Sequence, residues 1–345
     1  MRILIRPRLP VLALILLAPA IPELLTGSTS VTQIVTNPVG FAIGFPLDIA
    51  LYGAGALLIR EFAAAYRKGW ASILLLGAAY GIAEEGFEVH TFFEPSGSPV
   101  GALGSYGHLY GVNWLWALAL TVFHATYSIA LPILLTRLWF PEVAEARWLD
   151  PGAIAALAGL FGAEVVGFGG FVVGHGPSLG ALLFFVALVA LLVGLAVRAP
   201  RDLLSPRPGP RRIGRMSLVL LGTVEFAVYF LLLVLAPTRA VPAVVAGLVF
   251  VAANAGVLLV LLARVGTEDI ERSEFLFAEG MLIALFVWDV LLEFILVPGI
   301  LVVTAIFIYL LYRLDRTLKR RSRPTRVPSG ADSPLASGSR PSDRS

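Results

Sequence analysis

Residues 178–198 read SLGALLFFVALVALLVGLAVR, and the chain continues through residues 199–215 as APRDLLSPRPGPRRIGR. The first stretch has no charged side chain before Arg198. At about 1.5 Å per helical residue it is long enough to cross a hydrocarbon core of roughly 30 Å. A bilayer interior offers no water to unpaired backbone groups, so such a stretch is expected to be helical. The arginines that follow then mark a loop at one membrane surface.

Apolar stretches of this kind recur along the whole chain. Its 345 residues are 58% hydrophobic and 14% charged, which is too apolar for a soluble domain. The pattern predicts an all-α fold, a polytopic transmembrane helical bundle of about ten spans. The predicted spans are 9–25, 38–59, 69–90, 112–138, 152–173, 178–198, 216–236, 241–263, 275–293 and 296–313.

The positive charges give this arrangement an orientation. With ten spans, all of the 26 Lys and Arg residues except Arg239 fall on one side of the membrane, and short loops rich in these residues are cytoplasmic. We therefore predict a protein of the cell membrane, with both termini in the cytoplasm and the lipid bilayer as a partner. The net charge of +3 reflects this orientation and not binding of nucleic acid. The lack of cysteine in the sequence excludes disulfides, thiolate metal sites and cysteine nucleophiles.

Two segments outside the predicted spans divide the chain. The Pro- and Arg-rich residues 199–215 predict a cytoplasmic linker between a six-helix bundle, 1–198, and a four-helix membrane segment, 216–313. Residues 314–345 are rich in Arg, Ser, Pro and Gly. That composition predicts a disordered, basic cytoplasmic tail that lies against anionic headgroups.

Carboxylates inside the predicted spans are the main candidates for chemistry. An ionisable side chain in the middle of a membrane costs at least ~2.5–3.5 kcal/mol. None of the spans concerned has a Lys or Arg at its centre, so these acids must be protonated, solvated or paired with histidine. They are Asp48, Glu84, Glu85, Glu88, Glu164, Glu225, Asp289 and Glu293.

The densest group of these acids lies in the third predicted span, in the sequence GAAYGIAEEGFEVH of residues 77–90. Counting about 1.5 Å per residue from Gly69 puts Glu84 in the outer half of the membrane. Two carboxyl groups held together in low dielectric differ in their affinity for a proton. We expect one of Glu84 and Glu85 to stay protonated while the other acts as a base.

Two histidines are candidate partners. His124 lies near the middle of the fourth predicted span, on a small and polar stripe made by Asn113, Ala117, Thr121, His124 and Ser128. His175 lies in GGFVVGHGPSLG, residues 169–180, a predicted outer turn whose glycines permit close backbone approach. The candidate catalytic residues are therefore Glu84, Glu85, His124 and His175.

The order of these residues resembles the CPBP family (CAAX protease and bacteriocin-processing) of intramembrane proteases. That family has EExxxR, then FxxxH, then HxxxN or HxxxD, on successive helices. The resemblance implies that Glu84 or Glu85 activates water, that His124 and His175 complete the site, and that the substrate is a membrane protein or a lipidated peptide. This chain departs from the pattern where the family has Arg, Phe and Asn or Asp, at Val89, Leu120 and Leu179.

The first four predicted spans also resemble a group of uncharacterised prokaryotic multi-pass membrane proteins, which has no established activity. The segments that carry this resemblance are PELLTGST (22–29), YGAGALLIRE (52–61), GAAYGIAEEG (77–86), GVNWLWAL (111–118) and SIALPILL (128–135).

The residues leave more than one function open. In a glutamate-dependent intramembrane hydrolase, a Glu would be the general base and His124 would polarise the scissile carbonyl. A divalent metal such as zinc, held by His and Glu, is compatible with the same residues. In an ion- or proton-coupled transporter, these groups would bind a cation or relay protons together with Glu164, Glu225 and Asp289. A non-catalytic membrane partner is the third reading.

Overall fold

A computed structural model describes residues 7–94, 105–171, 173, 175–230, 232, 236–238 and 241–322. Over these residues the chain is helical apart from its loops and one small antiparallel hairpin, β1 (His108–Leu109) with β2 (Val112–Asn113). The long helices are α1 (Arg8–Pro19), α2 (Pro38–Ala65), α3 (Trp70–Ile82), α4 (Trp114–Trp139), α5 (Pro151–Phe171), α6 (Leu179–Arg198), α7 (Arg215–Phe230), α8 (Ala243–Arg264), α9 (Ile270–Ile295) and α10 (Ile300–Arg321). Short helical turns join them at Gln33–Thr36, Thr91–Phe93, Pro141–Val143 and Ala236–Thr238.

In the described parts of α1, α3 and α4 with their extensions, three segments are wound as π-helix, in which backbone hydrogen bonds span five residues and not four. They are π1 (Ala20–Leu24), which extends α1, π2 (Ala83–Glu88), which extends α3, and π3 (His124–Ala130), inside α4. The wider turn shows in the backbone bonds from Leu25 N to Ala20 O (3.1 Å) and from Val89 N to Glu84 O (2.9 Å). Single π turns inside α-helices are often found at functional sites.

Prolines account for two of the three π segments. A proline lacks the backbone N–H, and its ring clashes with the carbonyl group four residues earlier, so the helix around it must adjust. Pro22 lies inside π1, and Pro132 lies two residues after the end of π3, four residues beyond Ser128. The widened turns therefore follow from the local sequence.

The all-α fold class is confirmed, and the helices fit a membrane bundle. Each predicted span overlaps one of the long helices. Among the described residues, six helices are long and apolar enough to cross a membrane by length and composition, namely α2, α4, α5, α6, α8 and α9. The number of ten spans and the cytoplasmic position of both termini stay predictions.

The helices differ sharply in how much of their surface the protein covers. In the most apolar stretch of α4 and of α9, 61% of the residues are buried, compared with 11% in α5 and in α6. Apolar side chains that face hydrocarbon need no protein cover, so α5 and α6 have the surface expected of lipid-facing helices. The candidate site lies on the covered helices.

A single hydrophobic core joins helices from both sides of residues 199–215. Tyr127 of α4, Phe275 of α9 and Leu314 of α10 belong to it and are fully buried. Close contact between α7 and α9 depends on Gly280, where an added Cβ would lie 2.0 Å from the carbonyl oxygen of Val219. Residues 199–214 have no regular helix, and the helices before and after them pack together. A division into two bundles by a cytoplasmic linker stays a prediction.

The predicted disordered tail begins too early. Helix α10 continues to Arg321, so the prediction is wrong for residues 314–321. Leu311, Leu314 and Leu318 are spaced three and four apart and are all buried, which is the pattern of an amphipathic helix docked on a core. Residues 323–345 of the predicted tail lie outside the described part of the chain.

Candidate carboxylate and histidine site

The structure brings three of the predicted site residues together. Glu84 and Glu85 lie on π2, and His124 is the first residue of π3. The Nδ1 atom of His124 lies 3.2 Å from Oε2 of Glu84, and its Nε2 atom lies 3.0 Å from Oε1 of Glu85. A carboxylate therefore faces each nitrogen of one imidazole ring.

Glycines on α3 make this approach of the two helices possible. An added Cβ at Gly81 would lie 2.7 Å from the Cβ atom of His124, and one at Gly77 would lie 2.9 Å from the Cα atom of Ala125. Both distances are too short for a real side chain, so only glycine lets α3 lie directly against α4 here. Backbone contact at this level brings the carboxylates of π2 within reach of the histidine.

The histidine ring is held on several sides. The hydroxyl oxygen of Ser128, one turn further along π3, lies 2.9 Å from Nδ1. The rings of Tyr52 and Tyr80 lie at centroid distances of 6.1 and 6.0 Å from the imidazole. His124 is only 3% exposed, so its orientation is fixed by packing as well as by hydrogen bonds.

Glu85 is oriented from its other side by a short relay. The hydroxyl group of Thr91 donates to Oε2 of Glu85. The indole N–H of Trp116 donates in turn to the Thr91 hydroxyl, at 3.0 Å. One oxygen of Glu85 is thereby committed to Thr91, and the other faces His124.

Glu23 and Tyr52 also belong to this site, although sequence reasoning missed them. The hydroxyl oxygen of Tyr52 lies 2.7 Å from Oε1 of Glu23 and also contacts Oε1 of Glu84. The hydroxyl of Thr29 donates to the other oxygen of Glu23, at 2.8 Å. The available signal was Pro22-Glu23, an acid inside the first predicted span without a basic partner there.

The charges of this cluster do not balance by themselves. Three carboxyl groups, on Glu23, Glu84 and Glu85, surround one imidazole. In the described part of the chain, the ion pairs of Glu84 and Glu85 are with His124 and not with a Lys or Arg. A doubly protonated histidine balances one carboxylate, and unbalanced charge is costly away from water. The remaining groups must therefore hold protons or a cation.

A cavity of about 310 Å³ adjoins this cluster. A second cavity, of about 230 Å³, lies at the other end of the bundle. The polar wall of the cavity beside the cluster includes Glu23, Tyr52, Glu85 and His124. The rest is mostly apolar and aromatic, with side chains from α4, α7 and α9, and it reaches the exposed residue Ser28. A largely apolar cavity with a few converging polar groups is the usual form of a small ligand or substrate site.

His175 lies in a different group. The carbonyl oxygen of His175 lies 2.6 Å from Nδ1 of His90. The Nε2 atom of His175 lies 3.4 Å from Oε2 of Glu94. Its side chain is 33% exposed. Helix α5 packs on the last turn of π2, where an added Cβ at Gly169 would lie 1.9 Å from the carbonyl oxygen of Phe87. The turn after α5 therefore meets the end of π2. No contact described here joins His175 to Glu84, Glu85 or His124, and its catalytic role stays a prediction.

Glu84, Glu85 and His124 have the donor set of a metal site. One ligand atom from each of the three lies within 4.8 Å of the other two. Carboxylate oxygens and an imidazole nitrogen are the ligands found in catalytic zinc sites that keep one position for water. The arrangement is thus compatible with proton transfer to and from water, with or without a metal ion.

Comparison with known proteins places the chain in a family. A family model described as "Uncharacterized membrane protein family" matches residues 12–321, so the chain belongs to that family of membrane proteins. Comparisons with curated proteins and with solved structures gave no match. The family match agrees with the resemblance to uncharacterised multi-pass membrane proteins and adds no support for the resemblance to CPBP proteases.

Proposed function

We propose that this membrane protein is a glutamate-dependent intramembrane hydrolase that cleaves peptide bonds. The observation that carries the proposal is the pair Glu85 and His124, whose Oε1 and Nε2 atoms lie 3.0 Å apart on the wall of a single cavity. A base and a hydrogen-bond donor that line the same cavity are the minimum requirement for cleavage by water.

In the proposed reaction, the carboxylate of Glu85 takes a proton from a water molecule in the cavity while the water oxygen bonds to the carbonyl carbon of the peptide. The oxygen of that carbonyl becomes negative and accepts a hydrogen bond from the Nε2–H of His124. The C–N bond then breaks as Glu85 returns the proton to the leaving amine. A general base contributes about 10²–10⁴-fold to such a reaction, and one oxyanion donor about 10²–10³-fold.

Glu84 has a supporting role in this scheme. Its carboxylate faces Nδ1 of His124 at 3.2 Å, so it stabilises a proton on that nitrogen and the positive charge of the imidazolium. Tyr52 links Glu84 to Glu23 through its hydroxyl group. One further proton, held on Glu23 or Glu84 and shared through the Tyr52 hydroxyl, would reduce the repulsion between these two carboxyl groups.

A zinc ion bound by Glu84, Glu85 and His124 is a metal-dependent alternative, in which Glu85 and His124 would be ligands and not the base and the oxyanion donor. Three protein ligands and a bound water would be a catalytic zinc site, in which the metal lowers the proton affinity of the water. Addition of zinc should then raise the melting temperature of purified protein, and His124→Asn should abolish that shift. The metal-free version predicts no shift in either protein.

The substrate and its side of the membrane are part of the proposal. The mostly apolar walls of the cavity suit a membrane-embedded segment or a lipidated peptide. With ten spans and both termini in the cytoplasm of a cell-membrane protein, the site lies in the outer half of the bilayer.

The test is a comparison of membrane-protein termini in cells that carry the wild type, Glu85→Gln or Glu142→Gln. Glu142 is 72% exposed and does not line the cavity, so its variant is a control for loss of one carboxylate. We expect at least one new terminus in cells with the wild type and with Glu142→Gln, and none with Glu85→Gln. Identical termini in all three strains would refute the hydrolase.

One observation favours the transporter as a second candidate. Glu88, Glu164 and Asp289 each have a buried carboxyl oxygen without a hydrogen-bond partner in the described part of the chain, and the hydrolytic scheme uses none of them. Such groups are found on proton and cation paths in membrane proteins. Proton or cation flux into vesicles that is lost in Glu88→Gln, together with unchanged termini, would favour transport over hydrolysis.

A further inference from the structure

The second cavity, of about 230 Å³, lies far from the carboxylate site. Gly69 and Trp70 at the start of α3 line it, whereas Glu84 lies on π2 at the other end of the same continuous helix. At about 1.5 Å per residue, these two levels are roughly 20 Å apart along the helix axis. The second cavity therefore opens at the basic end of the bundle, beside the linker of residues 199–215.

Its lining is rich in cations. Four basic side chains contribute, and only two acidic ones accompany them, Glu145 and Glu274. The basic residues are Arg60, Lys68, Arg137 and Arg201. We propose that this cavity is a binding site for a phosphate group, held by the side chains of Lys68, Thr136, Arg137 and Arg201.

The backbone and two acids hold the cations in place around the cavity. Nζ of Lys68 donates to the carbonyl oxygens of Val197 and Ala199, at 2.5 and 3.1 Å, which uses two of its three N–H groups. Arg201 donates to Glu145 at 2.7 Å through one of five N–H groups. The side chains of Lys68 and Arg201 are thus held in place, and these bonds leave each of them N–H groups that can bind a ligand.

Arg137 and Arg60 differ in what they offer. The guanidinium of Arg137 pairs with Glu274 and lies over the ring of Trp70, at 5.0 Å from its centroid. Its planar fork is thereby oriented, with further N–H groups on its other edge. Arg60 is bound to backbone carbonyls and stacked on Trp148, so it contributes positive charge and not donors.

Thr136 is the observation that points to a ligand. Thr136 is one of the residues that line the cavity, the residue is 1% exposed, and its buried hydroxyl group has no hydrogen-bond partner among the described residues. A helical threonine ordinarily satisfies its hydroxyl on the carbonyl of the preceding turn. A buried hydroxyl that does not do so, in a wall of cationic N–H donors, lacks an acceptor that a ligand can provide.

The chemistry of the wall selects an anion with several oxygens. Lys68, Thr136, Arg137 and Arg201 can all donate hydrogen bonds, and the two carboxylates of the wall, Glu145 and Glu274, are each paired with one of these arginines. Cationic donors bind oxyanions with short, strong bonds. A phosphate group offers three or four oxygens, enough for Lys68, Thr136 and both arginines at once. The phosphate can belong to an anionic lipid headgroup or be free in solution, and the same side chains would hold either. The inference is independent of the proposed hydrolase, since the two sites share no residue.

The experiment uses the purified full-length protein in an uncharged detergent, with two probes. One is inorganic phosphate against chloride at equal ionic strength, read as a shift in melting temperature. The other is native mass spectrometry after release from bilayer discs of phosphatidylglycerol mixed with phosphatidylcholine, read as retained phosphatidylglycerol. Stabilisation by phosphate alone identifies the free ion, and retained phosphatidylglycerol identifies the headgroup.

Three variants make the assignment specific. Thr136→Val removes only the hydroxyl, Arg201→Gln removes a cation whose ion pair is half-exposed, and Arg316→Gln removes an exposed cation on α10 that does not line the cavity. We expect the first two to weaken binding of the effective probe about tenfold or more, as for loss of a hydrogen bond to a charged group, and Arg316→Gln to leave it unchanged. A melting temperature measured without probe confirms that each variant folds. Equal weakening by all three, or no effect of either probe on the wild type, would overturn the proposal.

Discussion

Buried charge is handled in two different ways at the two ends of the bundle. At the basic end, Glu61 is 2% exposed and is fully paired. It accepts hydrogen bonds from Nε of Arg147 at 3.0 Å, from Arg60 at 3.2 Å and from the backbone N–H of Trp148 at 2.8 Å. This network connects α2 to the loop after α4, and both carboxylate oxygens of Glu61 accept hydrogen bonds in it.

The carboxylate site is the opposite case. Glu23, Glu84 and Glu85 share one histidine and a few hydroxyl groups, and Oε2 of Glu84 is buried without a conventional hydrogen-bond partner. This site borders a cavity, whereas the carboxylate of Glu61 does not line either cavity described above. Fully paired buried charge is what a structural network needs, while under-paired charge beside a cavity is what proton transfer or ligand binding needs.

Among the substitutions that test this difference between the two ends of the bundle, Glu61→Gln should cause the largest loss of stability. The substitution leaves Arg60, which is 5% exposed, without its countercharge. Removal of one partner of a buried ion pair costs about 3–5 kcal/mol. The check is the melting temperature and the yield of folded protein in detergent, and a loss below about 1 kcal/mol would mean that this network is not structural.

The next largest effect is expected for Gly81→Ala, which attacks the geometry of the carboxylate site. The new methyl group would lie 2.7 Å from Cβ of His124, so α3 and α4 must move apart. Overpacking of this kind costs about 1–3 kcal/mol. Gly162→Ala on α5 is the matched control, because no atom lies within 4 Å of the added methyl group and alanine is the better helix former. Equal melting temperatures for the two variants would contradict the close packing described for α3 and α4.

A smaller effect is expected for Tyr52→Phe. The change removes the hydroxyl group between Glu23 and Glu84 and leaves the ring in place. Loss of one such hydrogen bond costs about 0.5–1.5 kcal/mol. In the same variant the proposed hydrolytic activity should fall, since the proton shared between the two carboxyl groups loses its link. Tyr66→Phe, at a ring that is 68% exposed, should change neither quantity.

Much of the fold follows from the sequence because the bilayer permits few alternatives. Long apolar stretches must be helical there, and every predicted span meets a helix. The meeting of Glu84, Glu85 and His124 follows from the same physics, since acids in spans without basic residues need other partners.

The remaining features depend on geometry that sequence patterns do not contain. The π turns change the direction of Glu23, Glu84 and His124 relative to a regular α-helix, and counting at 3.6 residues per turn does not predict them. His175 was expected beside His124, but its loop is positioned by the packing of Gly169 on π2. The helical part of the tail, residues 314–321, is not predicted because its basic residues resemble the Arg-rich stretch that follows and obscure the spacing of Leu314 and Leu318.

The central claim is that Glu85 serves function and not stability, and the most direct measurement is the melting temperature of Glu85→Gln beside that of Glu61→Gln. Glutamine keeps the shape of the side chain, its amide oxygen can accept from His124 while its NH2 group faces the Thr91 hydroxyl, and it removes one of three crowded carboxylates. We predict that Glu85→Gln changes the free energy of unfolding by less than about 1 kcal/mol, while Glu61→Gln loses about 3–5 kcal/mol. A loss in Glu85→Gln as large as that in Glu61→Gln would contradict the account, because the carboxylates at the cavity would then be structural.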